Sequence, residues 1–341
     1  MSAKKYIAFG QNLPGPEGCL KPVVRIAGVG GAGCNIVDSV PALALRHTEA
    51  IAVNTDAKNL YGLRCPKMLI GRELTGGRGA SSDPELGEMA AQADQEKIRT
   101  ALAGTEVLFL ICGLGGGTGT GAGPVVAKIG RRMGALVVAL TVHPFKAEGV
   151  ARGHTARLGL DRLRDAADVT VMVQNDKLVR DFPDMKFGEA LKVADHLLLA
   201  PVKAITQLLT KEDLPNLRKV LGIRDIAHLG FGEASVRLGH RAAVKDALDS
   251  LMPQGDVSVH DRALAFIHCP PGFENGELHR FVQELQFFLH QEAEIMWGPI
   301  VDPGLQDEVR IMTITGRARE LPAGTDDPKG EAAPRIAGTD R

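Results

Sequence analysis

Several features are scarce in this 341-residue chain, and each scarcity narrows what it can be. Charge of one sign is missing: 40 Lys and Arg stand against 41 Asp and Glu, for a formal net charge of −1, and no dense basic block occurs. The chain therefore offers no electrostatic footprint for nucleic acid or for an acidic membrane surface. The five cysteines, Cys19, Cys34, Cys65, Cys112 and Cys269, are odd in number, widely spread and without a C-x-x-C pair. That usage suits a reducing cytoplasm and argues against a metal held by cysteine. The N-terminal ten residues lack an apolar core of signal-peptide length, and no later apolar run is long enough to span a bilayer, so a soluble cytoplasmic protein is expected. There is also no Gly-Lys dipeptide, which excludes an ATP-type P-loop, since that loop needs Gly-Lys followed by Ser or Thr. What is present is 44% hydrophobic residues, enough at this length for a large core and two domains.

Residues 1–21, rich in Gly and Pro, predict a flexible N-terminal arm. Apolar strand-like runs at 23–27, 50–53, 107–112, 135–142 and 169–173 then alternate with helical patterns at 82–103, 123–133 and 154–166. This rhythm predicts an α/β domain over 22–185, built on a doubly wound parallel sheet. Over 186–210 the apolar residues Leu191, Ala194, Leu197, Leu198, Val202, Ile205 and Leu208 recur at helical spacing and predict a central bridging helix. Strand-like runs at 226–230, 263–267 and 309–314, with helical patterns at 237–251 and 276–291, predict a smaller α+β domain over 211–316. Residues 317–341 are rich in Pro, Gly and charge with little to bury, and predict a disordered tail. No internal repeat of solenoid period occurs.

The chemistry concentrates in two glycine-rich segments. Gly113-Leu114-Gly115-Gly116-Gly117-Thr118-Gly119-Thr120-Gly121 follows an apolar strand and leads into a helix. Without Cβ atoms such a backbone can turn its N–H groups inward and admit a bulky anion, while the following helix adds the partial positive charge of its N-terminus. Gly28-Val29-Gly30-Gly31-Ala32-Gly33-Cys34-Asn35 does the same after the first strand. Taken alone, that second segment is compatible with a dinucleotide fingerprint, with Asp56 about 20 residues further on, so an NAD-dependent oxidoreductase stays open. Against it, one pyrophosphate needs one glycine turn, whereas two cradles imply a longer phosphate chain. For either segment the bland alternative is a tight strand-to-helix turn. With no P-loop lysine, a triphosphate would be met by backbone N–H groups, helix N-termini, the Thr118 and Thr120 hydroxyls and a divalent cation, magnesium, bound to the phosphates rather than held by side chains.

The combination of Gly30-Gly31-Ala32-Gly33-Cys34-Asn35, Asn54-Thr55-Asp56-Ala57, Gly115 to Gly121 and Pro144-Phe145-Lys146-Ala147-Glu148-Gly149 resembles the FtsZ branch of the tubulin superfamily. The resemblance runs from about residue 23 to 316, in the family's order, and closes with Trp297-Gly298 and Ile314-Thr315-Gly316. It implies a GTP- and GDP-binding protein that assembles head to tail with copies of itself into filaments, generally in cell division or membrane constriction, with membrane contact only through an adaptor. The implied nucleotide contacts are Gly30, Gly31, Ala32, Asn35, Gly115, Gly116, Gly117, Thr118, Gly119, Thr120 and Gly121 on the phosphates. Glu148 and Arg152 match positions that hold ribose and phosphates, Asn175 one near the sugar and base, and Asp195 the position that reads guanine. A carboxylate suits that task, because guanine presents N1–H and N2–H₂ as adjacent donors where adenine presents an acceptor. Leu191, one helical turn before Asp195, shares its face; the family commonly has Phe there. Base–aromatic stacking contributes about 1–3 kcal/mol, of which Leu keeps only part, and Leu191 reads equally well as a core position of the helix.

One segment departs from the resemblance. The family's filament neighbour inserts a loop after the central helix, with two acids in an Asn-x-Asp-Phe-x-Asp pattern that position the attacking water. Here the corresponding stretch, Thr210-Lys211-Glu212-Asp213-Leu214-Pro215-Asn216, is too short. Either the acidic segment is absent, or Asp213 survives as the one catalytic acid and Asn216 replaces the other. A positioned acid or base contributes about 10²–10⁴-fold, so slow GTP hydrolysis is expected, and a non-hydrolysing paralogue that caps or copolymerises with a catalytic FtsZ is the alternative. The tail also departs, since between Gly324 and Arg341 only Ile336 is a sizeable aliphatic residue for adaptor docking.

Overall fold

A computed structural model describes residues 6–9, 20–43, 45, 47–174, 186–235, 239–250 and 256–319. Asn175, most of the arm and the tail beyond residue 319 lie outside the described residues. The strands are β1 (Tyr6–Ala8), β2 (Val24–Val29), β3 (Thr48–Asn54), β4 (Lys67–Leu69), β5 (Val107–Gly113), β6 (Leu136–His143), β7 (Val169–Gln174), β8 (Ile226–Ser235), β9 (Arg262–Cys269), β10 (Glu294–Val301) and β11 (Glu308–Gly316). The α-helices are α1 (Gly30–Asp38), α2 (Ala57–Tyr61), α3 (Arg72–Thr75), α4 (Pro84–Ala93), α5 (Gln95–Ala101), α6 (Gly117–Arg132), α7 (Val150–Ala166), α8 (Phe187–Leu208), α9 (Leu214–Leu221), α10 (His240–Asp249) and α11 (Asn275–Phe288).

β5 and β6 are continuous apolar runs because helices cover both of their faces, as parallel strands require. Their side chains alternate between two cores: Val107, Phe109 and Ile111 enter one, Leu108, Leu110 and Cys112 the other. The first core takes Ile36 and Val37 from α1 and Ala194, Leu198, Val202 and Ile205 from α8; the second takes Ala122 and Val126 from α6 and Leu163 from α7. In the sheet the order is β1-β10-β9-β11-β8-β7-β6-β5-β2-β3-β4, with every pair from β7 to β4 parallel. The doubly wound α/β half is thus followed by a smaller mixed half, in which β11 runs antiparallel to both β8 and β9. A short parallel pairing of β8 with β7, through Thr170 with Ile226 and Val171 with Ala227, joins the halves into one sheet. Leu264, Phe266 and Met296 of the second half enter the same core as α8, so that helix packs against both.

Two local readings change in three dimensions. Part of the arm expected to be loose forms β1, which pairs with β10 from Tyr6–Ile295 to Ala8–Trp297, and the Phe9 ring stacks on Phe266 at 5.6 Å. The short apolar run Tyr6-Ile7-Ala8-Phe9 has a sheet edge to cover. The single helix expected over 82–103 is broken into α4 and α5 at Asp94, whose carboxylate accepts from Gly71 N–H at 2.7 Å.

Behind the junction, the rings of His228 on β8 and His260 stack with centroids 4.8 Å apart, and His260 Nδ1 lies 3.1 Å from Thr315 Oγ1. Burial drives the His228 pKa down to about 4, the neighbouring His260 adds to the shift and Asp225 opposes it. Burial lowers His260 as well, against Asp256 and Asp261. Both rings are neutral in the folded chain, while the unfolded chain takes up protons near pH 6.5, so stability is full above about pH 6.5 and falls as the pH drops toward 4. The urea midpoint is expected to be lower at about pH 5 than at pH 7.5, with a smaller difference in His228→Phe; equal pH dependence in the two proteins would remove the pair as the cause.

Candidate functional site

At the C-terminal ends of β2 and β5 the chain turns directly into helices. β2 passes through Gly30 (φ 76°) into α1, and β5 through Gly115 (φ 93°) into α6, left-handed conformations that favour glycine. α6 begins at Gly117, so Gly117 to Gly121, read in the sequence as loop with helix from 123, are its first turns. Glycine is needed there for approach: an added Cβ would sit 2.3 Å from Gly113 O at Gly119, 1.9 Å from Pro84 O at Gly121 and 2.6 Å from Gly119 N at Gly30. Gly31 and Gly116 instead face open space. Two helix N-termini therefore converge at one point, with their first N–H groups unpaired inside the helices.

A cavity of about 560 Å³ opens there, within the range of small-molecule sites. Of the residues expected from the sequence, Gly31, Ala32, Gly116, Gly117, Thr118, Gly119, Glu148, Arg152, Leu191 and Asp195 line it. Gly30, Asn35, Gly115, Thr120 and Gly121 stand behind or beside the lining. The buried Thr120 hydroxyl accepts from Gly115 N–H at 2.9 Å and holds the turn, and Thr118 Oγ1 lies 2.6 Å from Thr55 Oγ1. Glu148 accepts from Phe145 N–H at 2.8 Å and pairs with Arg152 at 3.0 Å. Across the cavity, α8 presents Leu191 and Asp195 on one face, beside the buried Ala194. Burial raises the Asp195 carboxyl above the ordinary aspartate value, with His196 opposing, so a ligand offering donors to that carboxylate relieves an existing cost. Cys34, behind the first cradle, is no nucleophile: burial pushes its thiol up to about 12.

The sequence reading passed over one wall. Arg78, Gly79, Ala80, Ser81 and Ser82 line the cavity, beside Asn59 and beside Asn54 and Asp56 of the Asn54-Thr55-Asp56-Ala57 motif that the sequence did single out. The signal was available as a third glycine cluster, Gly76-Gly77-Arg78-Gly79. Asp56 uses one carboxylate oxygen to cap α2, at 2.8 Å from Lys58 N and 3.1 Å from Asn59 N. Its remaining acceptor capacity fits magnesium, which keeps several waters and takes one or two carboxylates together with phosphate oxygens.

Asp213 is remote from this cavity. It is buried, its carboxylate accepts from the Thr210 hydroxyl at 2.7 Å, and it stands at the start of α9. Nearby, Lys211 pairs with Glu106 at 3.4 Å, and Arg218 donates to Glu106 O and Gly134 O. Glu106 immediately precedes β5, whereas the cradle follows it, and a strand of that length separates the two edges by roughly 20 Å.

The Tubulin/FtsZ family, GTPase domain matches residues 23–182, and the FtsZ family, C-terminal domain matches residues 225–317. Cell division protein FtsZ 1 of Archaeoglobus fulgidus is 38% identical over 301 residues, covering 86% of this chain and 82% of that protein. The chain belongs to the FtsZ family. FtsZ 1 of Pyrococcus abyssi is 37% identical over 93% of the chain and 88% of its own length. An FtsZ dimer of M. jannaschii superposes with a TM-score of 0.80 at 36% identity, covering 87% of this chain and 88% of that one. CetZ2 from Haloferax volcanii, at 22% identity and a TM-score of 0.73, shares the fold.

Gly119 and Gly31 separate the two uses of glycine in this FtsZ site. Gly119→Ala drives a Cβ into backbone and is expected to destabilise the chain by about 1–3 kcal/mol. Gly31→Ala adds its methyl to open space on a helix and is expected to change stability by no more than about 0.5 kcal/mol. Urea unfolding of both variants checks this, and an equal loss in the two would contradict the geometry.

Proposed function

We propose that the cavity binds GTP with magnesium, and that the chain assembles head to tail into filaments in which GTP is hydrolysed slowly at the junction between subunits. The observation that carries this reading is the meeting of two helix N-termini with a half-buried carboxylate across one cavity. The phosphates lie on the cradles of Gly31, Ala32 and Gly116 to Gly119, with Arg152 beside them. Glu148 holds the ribose and orients Arg152, and Asn175 supports the sugar and base. Asp195 accepts from N1–H and N2–H₂ of guanine, and Leu191 covers the base. Magnesium supplies charge neutralisation on the phosphate oxygens, with Asp56 as its nearest protein carboxylate. In this reading residues 22–185 form the nucleotide-binding domain, 186–210 the bridging helix and 211–316 the domain that meets the next subunit.

Hydrolysis follows from the distance between the two edges of the sheet. Among the described residues no group near Asp213 reaches the cavity of its own subunit, so in this reading an acid from this segment serves the nucleotide of a neighbour. The acid set is reduced here: Asp213 is engaged by Thr210, Glu212 alone of the two is exposed, and Asn216 is neutral. The engaged Asp213 also favours the second reading, a non-hydrolysing paralogue that caps or copolymerises with a catalytic FtsZ. The two readings part in electron microscopy with GTP, where the capping protein forms no filaments alone.

Three outcomes are expected. GTP and GDP raise the thermal midpoint of the wild-type chain while ATP and NAD do not, and stabilisation by NAD alone would overturn the reading. Asp195→Asn lowers GTP affinity by about 10- to 100-fold, as for lost hydrogen bonds to a charged group. Because the ionised carboxylate binds and its pKa is raised, wild-type affinity falls on acidification at a higher pH than an ordinary aspartate would produce, and Asp195→Asn loses that dependence. Phosphate release above the assembly concentration is slow and falls further in Glu212→Ala or Asp213→Ala. Turnover as fast as that of ordinary family members would refute the weak-hydrolysis claim.

A further inference from the structure

We propose that Arg78 is the cation that reads the terminal phosphate and sets the preference for GTP over GDP; this rests on the cavity being the guanine-nucleotide site. Among the described residues the cavity has two arginines in its lining, Arg78 and Arg152. Arg152 is committed to Glu148 at 3.0 Å, and its stem packs on Gly115, where an added Cβ would lie 2.8 Å from Arg152 Cγ. Among the described residues Arg78 has no ion-pair partner, although Asp56 stands across from it in a backbone bridge. Its charge is therefore uncommitted at the mouth of a site built for an anion.

The backbone fixes the end of the cavity at which Arg78 stands. The segment from Gly76 to Asp83 lies against the N-terminus of α6: an added Cβ on Gly117 would meet Ala80 O at 2.7 Å and Asp83 O at 2.8 Å. Gly79 N–H donates to Thr55 O at 3.1 Å, and the Thr55 hydroxyl touches that of Thr118. The segment is thus tied to the phosphate cradle, while Leu191 and Asp195 form the base wall on α8. Positive φ at Gly76, Gly77, Gly79, Ser81 and Ser82 curls it over that N-terminus. A nucleotide seated with its base on Asp195 and its phosphates on Gly116 to Gly119 has its chain end toward Arg78. GDP stops one phosphate earlier. A guanidinium is suited to this contact, since its planar fork binds two phosphate oxygens at once and carries its charge at every physiological pH.

Calorimetric titration of the full chain with GDP and with a non-hydrolysable GTP analogue, magnesium present, tests the assignment. In Arg78→Ala the analogue is expected to bind about 10- to 100-fold more weakly, the loss of charge-assisted hydrogen bonds, with GDP affinity changed less than about twofold. Arg78→Lys restores part of the loss, because it keeps a point charge without the fork. Arg78 is exposed and has no ion-pair partner among the described residues, so circular dichroism and the thermal midpoint of the free variants are expected to match wild type. Equal losses for the two nucleotides, or no loss for either, overturn the proposal while leaving the guanine site intact. A wild-type chain that binds neither nucleotide overturns the guanine reading and this proposal with it.

Discussion

The site depends on a steric concession: between β2 and β5, and between the helices that follow them, the backbones approach closer than any Cβ allows. Gly30 against Gly119, Gly119 against Gly113, and Gly33 against Ile111 O are contacts of 2.3–2.6 Å for a hypothetical Cβ. Helix N-termini carry about half an elementary charge each, and one alone binds an anion weakly. Bringing two together doubles the field at one point without placing a lysine there, and no Gly-Lys pair exists in the sequence to supply one. The fold makes the convergence affordable, because adjacent parallel strands end at the same edge and both following helices start from it.

The wall opposite the glycine turns has a different structural origin. It belongs to α8, whose apolar side is part of the core beneath the sheet: Ala194 is buried, and its neighbour Asp195 is half-buried in the cavity lining. Partial burial at that position raises the Asp195 carboxyl above the ordinary aspartate value, with His196 opposing. The same helix continues past the cavity to Leu208, and beyond it the carbonyl of Leu209 accepts from Lys21 at 2.9 Å. Displacement of this wall would therefore be felt along the whole helix and in the core of the second half.

The fold class was legible because its signals are repetitive. Continuous apolar runs such as Val107 to Cys112 need two covered faces, and helical spacing from Leu191 to Leu208 needs one long amphipathic helix. The two glycine segments stood out because glycine density after a strand has few other uses, and residues of both line the one cavity. What escaped was tertiary in cause. Gly117 to Gly121 read as loop, since helix propensity disfavours glycine, yet packing against the Pro84 turn overrides it. β1 escaped because three residues pair only when β10 supplies the partner edge. The Gly76 to Ser82 wall escaped because its glycines follow no apolar strand of ordinary length, β4 having three residues. Thr120 was read as a phosphate ligand from its place in the motif, but its hydroxyl is turned inward to Gly115 N–H, a direction that sequence does not encode.

The cavity and the acids that follow α8 lie at different edges of the sheet. The cavity sits at one edge of the sheet, between the ends of β2 and β5 and the face of α8. The acids after α8 sit at the other edge, fixed by Lys211 and Arg218 to the start of β5. In the proposed head-to-tail filament a change in that segment would act where a second copy places that edge over the first copy's cavity, and on the barrier rather than on affinity. On that reading each subunit would keep its nucleotide while the junction hydrolyses it slowly, with a longer dwell in the triphosphate state as the outcome.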